Sequence, residues 1–95
     1  MSDPALLVLV SLSDGDKHGY AMMEDIERSI GPRLGPGTLY GAITRLEERG
    51  WIKPVASEDR RRPYTLTPAG RAYLDEQLAT LDRLLKRAGR RLKHA

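Results

Sequence analysis

Gly35-Pro36-Gly37-Thr38-Leu39-Tyr40-Gly41-Ala42-Ile43-Thr44-Arg45-Leu46-Glu47-Glu48-Arg49-Gly50 is the most informative run of the chain. Leu39, Ile43 and Leu46 recur at the spacing of one helix face, while Gly37, Gly41 and Thr44 occupy the opposite face with Tyr40 and Arg45 on its flanks. The spacing predicts a helix over 36–49 that buries one side and leaves the other unusually small and polar. Side chains that short let a helix approach a surface closely, and Thr, Tyr and Arg can hydrogen-bond phosphates or base edges once there. After Gly50 come an apolar run from Trp51 to Val55, a charged tip ending in Arg60-Arg61-Arg62, and a return run Tyr64-Thr65-Leu66. A helix, a hairpin and a basic tip in that order predict a winged helix.

Upstream, Asp3-Pro4 is a helix start, because Asp accepts from free amides and Pro tolerates the first helical position. The helix it opens is expected to reach about Ser13. Its segment from Ala5 to Val10 is apolar on every side, which a surface helix of a monomer is not. One side is therefore expected against its own domain and another, including Leu6 and Leu9, against a partner chain. Ser13-Asp14-Gly15-Asp16 reads as a turn. A second helix is expected over 18–30, with Met23, Ile26 and Ile30 inward, closed by Gly31-Pro32. Arg33 to Gly37 turns into the third helix and completes helix, turn, helix. Tyr20 and Trp51 are read as core aromatics and His18 as a helix-start or surface residue.

Pro54 confines its strand to a sheet edge. A two-stranded hairpin is marginal in water, so Ile52, Val55, Tyr64 and Leu66 are expected to pack on the helices. Thr67-Pro68 repeats the cap-then-proline signal and opens a last helix toward Leu92. Leu74, Leu78, Leu81, Leu85, Ala88 and Leu92 follow in steps of four, three, four, three and four, an a/d seam that asks for a partner helix. Burial of each leucine is worth roughly 1.5–3 kcal/mol, enough in sum to hold two protomers together. The predicted class is mainly α with a small β-hairpin: a winged helix-turn-helix domain over residues 1–67 and a long C-terminal dimerisation helix over 68–95.

The chain has 95 residues and no cysteine, which leaves room for one small domain and excludes disulfides and thiolate metal sites. His18 and His94 stand far apart, and no histidine, carboxylate and nucleophile group together, so neither a metal nor a catalytic centre is predicted, nor a cofactor. The apolar run at the start is too short to span a bilayer and has no basic region ahead of it; the expectation is a soluble, cytoplasmic protein. Net charge is +3. Residues 1–32 hold two basic and six acidic side chains, residues 33–67 seven and four, and residues 68–95 seven and three. Positive charge thus gathers where the third helix and the wing begin.

Several short runs, in order, resemble the PadR family of bacterial transcriptional regulators: Gly19-Tyr20, Gly37-Thr38-Leu39-Tyr40, Arg45-Leu46-Glu47-Glu48-Arg49-Gly50, the arginines before Tyr64, and Leu66-Thr67-Pro68-Ala69-Gly70. The resemblance covers about residues 4 to 75, and the short last helix is similar to the subfamily with a single C-terminal dimerisation helix. It implies a winged-helix homodimer that binds palindromic double-stranded DNA, usually as a repressor released by a small-molecule effector or a stress signal. It also implies that Thr38 and Tyr40 touch the duplex and that Arg60, Arg61 and Arg62 lie in the wing. With the helix-face reading, the DNA-binding set is Gly37, Thr38, Tyr40, Thr44, Arg45, Arg60, Arg61 and Arg62, and the dimerisation set is Leu6, Leu9, Leu74, Leu78, Leu81, Leu85 and Leu92. Gly41-Ala42 stands where bulkier residues or proline are frequent in the family. Two alternatives compete with this reading: a winged-helix protein-interaction module and a nonspecific DNA-coating protein.

Overall fold

A computed structural model describes residues 3–58 and 60–93. Four helices and three short strands follow in the order α1 (Pro4–Leu12), β1 (Lys17–His18), α2 (Gly19–Ser29), α3 (Pro36–Glu48), β2 (Ile52–Pro54), β3 (Pro63–Leu66) and α4 (Pro68–Lys93). The Asp3 carboxylate starts α1 by accepting from the amides of Ala5 at 3.0 Å and Leu6 at 3.4 Å. Leu7, Val8, Leu9 and Leu12 of α1 are buried, and α1 packs on α2, α3 and α4. Ser11, also buried, keeps its hydroxyl satisfied by donating to the Asp25 carboxylate of α2 at 2.7 Å.

Strand β1 has no counterpart in the expected hairpin. The sheet has three antiparallel strands in the order β1-β3-β2, with Lys17 opposite Tyr64 and His18 opposite Pro63. Lys17 holds the strand at its start by donating to the carbonyl of Ser11 and to the Asp14 carboxylate. That hydrogen bond, and the lysine charge behind it, lower the Asp14 carboxyl below its ordinary range. The salt link is thus in place at neutral pH and is lost as acidification passes the lowered value. On the other side of β3, Ile52, Lys53 and Pro54 face Leu66, Thr65 and Tyr64. Pro54 therefore stands on an outer strand, where its missing N–H costs no ladder bond. Ile52 and Tyr64 are buried, and Val55 and Leu66 are half-buried, as the hairpin needs.

The inward face of α2 is Met22 and Ile26, with Met23 half-buried and Ile30 exposed at the C-cap. The face is rotated by about one residue from the expected one: Met22 rather than Met23 is fully buried, and Ile30 stands outside it as the C-cap. Leu39, Ala42, Ile43 and Leu46 of α3 are buried against the core, joined by Leu34 from the preceding loop. Helix α3 closes on Gly50, whose φ of +76° allows the Gly50 amide to donate to the Glu47 carbonyl and the Trp51 amide to the Leu46 carbonyl, both at 3.0 Å.

Helix α4 begins at a tight joint. The Thr67 amide donates to the Trp51 carbonyl at 3.1 Å, the Thr67 hydroxyl donates to the Gly50 carbonyl at 2.6 Å, and the same hydroxyl oxygen accepts from the Gly70 amide at 3.0 Å. A Cβ on Gly70 would stand 1.9 Å from the Trp51 oxygen, so only glycine fits there. Tyr73 stacks on Trp51 with ring centroids 3.8 Å apart, and Arg49 lies 5.2 Å over the Trp51 ring. The first two turns of α4 thus belong to the same core as the winged helix, although the helix itself starts at the 67/68 boundary.

Leu74 is 1% exposed and Leu9 is 0% exposed. Both sit in the protomer's own core, which corrects their assignment to the dimerisation set: α1 is covered by three of its own helices, and Leu74 falls in the part of α4 still docked on them. Beyond Leu74 the helix leaves the core. Its 26 residues reach about 39 Å at the helical rise and account for the elongated extents of 55 × 26 × 20 Å.

Gly70→Ala sets backbone against Cβ, a clash no rotamer relieves. The expected cost is at or above the upper end of the roughly 1–3 kcal/mol range for overpacking, read from chemical unfolding. Gly37→Ala, where a Cβ meets nothing within 4 Å, is expected to hold stability or raise it by up to about 1 kcal/mol.

Candidate nucleic-acid interface

The outward face of α3 carries Gly37, Thr38, Tyr40, Thr44 and Arg45 and, in its last turn, Glu47 and Glu48, all exposed, with Gly41 partly covered. A Cβ on Gly37 would meet nothing, and one on Gly41 would meet only Arg45 Nη1 at an ordinary 3.5 Å. The fold does not require glycine at either place. Gly41, inside the helix, nevertheless costs about 1 kcal/mol relative to alanine, while Gly37 stands in the first turn. Nothing inside the protomer offsets that cost, which leaves the bareness of this face as a property directed outward.

Thr44 donates its hydroxyl to the Tyr40 carbonyl at 2.9 Å. Its proton is committed to the helix, so the side chain offers an external partner a methyl group and an acceptor oxygen. Arg45 lies on the far flank and lines a hollow of about 200 Å³ with Asp3, Arg49, Trp51 and Tyr73. It is separated there from the wing arginines.

Tyr40 and Arg60, Arg61 and Arg62 are brought together. They line one cleft of about 250 Å³ with His18, Gly19, Tyr20 and Tyr64. Four segments meet in it: the end of β1 and start of α2, the first turns of α3, the wing loop, and β3. Among the described lining residues the polar groups are three guanidinium groups, three phenols and one imidazole, and none is a carboxylate. A second hollow of about 360 Å³ runs along the wing from Pro54 to Ser57 and from Arg60 to Pro63. The strand register explains the meeting, since pairing of His18 with Pro63 sets the base of the wing beside the start of α2. Gly19 is the other requirement: a Cβ there would lie 2.6 Å from Tyr40 Oη and 2.8 Å from its Cε1 and Cζ, so the Tyr40 ring rests on bare backbone.

Tyr20 is 54% exposed and belongs to this cleft, which corrects its reading as a core aromatic. It is the second residue of α2, outside the buried face of Met22 and Ile26, and its companions in the cleft come from α3, the wing and β3, far along the chain. His18, read as a helix-start residue, is the N-cap of α2: its Nδ1 accepts from the Ala21 amide at 3.2 Å. Its place in the cleft was beyond sequence reasoning because β1 is only two residues long and has no periodicity to read.

On α4, Leu78 and Leu81 are 43% and 40% exposed, and Leu85 is 71% exposed. Leu84, one step off the a/d seam, is 58% exposed and widens the stripe. Leu6 of α1 is half-buried. Leu92 lies outside the residues whose side chains are described.

A model of the transcriptional regulator PadR-like family matches residues 8–76. The chain belongs to this family. The matched range takes in β1, the cleft, the wing and the docked start of α4, and stops before the exposed leucines. Over 83 residues the chain is 47% identical to an uncharacterised 37.1 kDa protein of transposon Tn4556 from Streptomyces fradiae, a match that covers 87% of this chain and 24% of that protein. The chain thus spans about a quarter of that relative's length. It is 37% identical over 84 residues to the transcriptional regulator Rv3488 of Mycobacterium tuberculosis, covering 85% of this chain and 78% of that one. A solved PadR-family transcriptional regulator from Eggerthella lenta superposes with a TM-score of 0.80 at 26% identity, over 96% of this chain and 82% of that one. The fold is the winged helix of these transcriptional regulators. Among the described residues no helix is long and apolar enough to cross a membrane, and no three His, Asp or Glu side chains cluster as metal ligands.

Gly19→Ala displaces a half-exposed ring rather than backbone. Unfolding free energy is expected to stay within about 1 kcal/mol of the parent while the Tyr40 ring resonances shift in NMR spectra. Unmoved resonances would show that the ring does not rest on Gly19.

Proposed function

We propose that this PadR-family chain acts as a homodimeric, sequence-specific DNA-binding regulator, a repressor at a palindromic operator, with α3 in the major groove and the wing on flanking phosphates. The observation that carries the reading is the cleft that joins Tyr40 of α3 to Arg60, Arg61 and Arg62 of the wing beside a helix face stripped to Gly37 and Gly41. A bare helix face flanked by a row of cationic and phenolic donors has the complementarity that a duplex asks for: close approach to base edges in the middle, charge-assisted contact to phosphates at the side. Thr44, with its proton committed, accepts from an exocyclic amine or packs its methyl on a thymine, and disfavours guanine at that position. Gly37 and Thr38 stand at the approaching end of α3, and Arg45 serves at its far flank.

The partner in the dimer is a second copy. Leu78, Leu81, Leu84 and Leu85 form an apolar stripe too wide for a strict a/d seam, which fits a helix that meets both the partner's α4 and another apolar surface. Leu6 of α1 belongs to the same reading. Two-fold symmetry sets two copies of α3 about 34 Å apart, one helical turn of DNA, and so predicts an inverted repeat. A small-molecule effector would act by changing that separation.

Alanine at Arg60, Arg61 and Arg62 together is expected to weaken binding to every duplex and to flatten the dependence of log affinity on log salt by about 0.9 for each phosphate the wing no longer neutralises. An unchanged slope would remove the wing from the interface. Leu85→Glu is expected to convert a dimer to a monomer in light scattering and to leave that monomer folded by circular dichroism, since the side chain is exposed in its own protomer, with an unfolding midpoint lowered only by the lost association. A monomeric parent protein would contradict the dimer reading.

A further inference from the structure

We infer that the cleft between the start of α2 and the wing is a seat for one phosphodiester group of the duplex, in which His18 is a neutral donor fixed in one tautomer. This rests on the DNA-binding reading and adds a residue that neither the helix face nor the arginine run points to.

The tautomer follows from the cap. His18 Nδ1 accepts from the Ala21 amide, so it carries no proton, and the ring proton sits on Nε2. His18 is half-buried, and it lines the cleft that Tyr20, Tyr40, Tyr64, Arg60, Arg61 and Arg62 also line. The ring is held twice over. Its backbone is paired to Pro63 through β1, and its side chain is tied to the first turn of α2. An imidazole so held is a pre-oriented single donor, and it needs no reorganisation to meet an acceptor. The remaining lining groups say what acceptor: guanidinium and phenol donors on every described wall match an oxyanion with several lone pairs. A volume of about 250 Å³ is ample for a phosphate group and far too small for a base pair with its sugars. Position selects the source. The cleft lies between the helix face proposed for the major groove and the wing proposed for the flanking backbone, where a strand passing from one to the other must place a phosphate.

A neutral donor leaves a distinctive trace in binding. A charged contact releases a condensed counterion and therefore contributes to the salt slope, whereas a neutral hydrogen bond contributes affinity without slope. His18→Asn keeps an N-capping side chain, since asparagine is among the best caps, but removes the Nε2 donor. With a short random-sequence duplex, this variant is expected to lose about three- to tenfold in affinity, equally at each salt concentration, with the slope of the parent. The loss is expected to be the same for any duplex, because a phosphate contact carries no base information.

The parent protein supplies a second readout that no substitution can disturb. Its two histidines, His18 and His94, are observed in 15N-detected imidazole spectra as the duplex is added. A shift of the His18 Nε2 resonance with Nδ1 still unprotonated supports the seat. Three results overturn it: parent-like affinity of His18→Asn together with an unmoved His18, protonation of both His18 nitrogens on the bound protein, or the same Nε2 shift produced by inorganic phosphate at equal ionic strength and comparable concentration. The last would make the cleft a site for a free anion. If the parent protein binds no duplex at low salt, the DNA-binding reading falls with it. If the parent binds and His18 is indifferent, only the seat falls.

Discussion

The joint where α3 ends, the wing begins and α4 starts governs how the helices are set against one another. Within three residues of chain on one side, Gly50 ends α3 and the Trp51 carbonyl faces into α4. On the other side Thr67 caps α4 with its hydroxyl while donating to that same turn, and Gly70 gives up its side chain so that the backbones can meet. The stack of Tyr73 on Trp51, with Arg49 above, closes the joint from outside. Helix α4 therefore leaves the domain in a direction set by α3 itself. For a dimer built along α4, that direction fixes how far apart and at what angle two copies of α3 stand, which makes operator spacing a consequence of a few short hydrogen bonds and one missing methyl group.

A second constraint concerns where the chain places its glycines. Gly70 is required from within, by the Trp51 carbonyl, and Gly19 sets only where the Tyr40 ring rests. Gly37 and Gly41 are not required, and Gly41 weakens the helix that carries it. Local stability is given up on the face that meets no part of the protomer and kept everywhere else, a departure from local consistency of the kind found at functional surfaces. The wing arginines stand beside the tyrosines of α2 and α3.

Much of this was legible in the residues. Leu39, Ile43 and Leu46 marked the inner face of α3, Pro54 marked an edge strand, and Thr67-Pro68 marked the start of α4, because each rests on local physics: helical period, a missing donor, a cap. What needed three dimensions was whatever depends on partners distant in sequence. Strand β1 exists because β3 comes to pair with it, and two residues have no pattern of their own. Tyr20 looked like core because aromatics usually are, yet its position on α2 points it at a wing more than forty residues on. Leu9 and Leu74 fell inside the protomer because α1 is enclosed by its own helices and α4 stays docked for two turns. A seam read from spacing alone cannot say where a helix leaves its domain. The PadR resemblance supplied the family and the winged-helix fold, but not the cleft.

The central claim is that two copies of this fold present α3 to successive turns of one duplex. Selection of bound sequences from a random duplex pool tests it most directly. An inverted repeat whose half-site centres lie about one helical turn apart, near 34 Å, is expected to be enriched. Recovery of a direct repeat, of a lone half-site, or of no preferred sequence would contradict it.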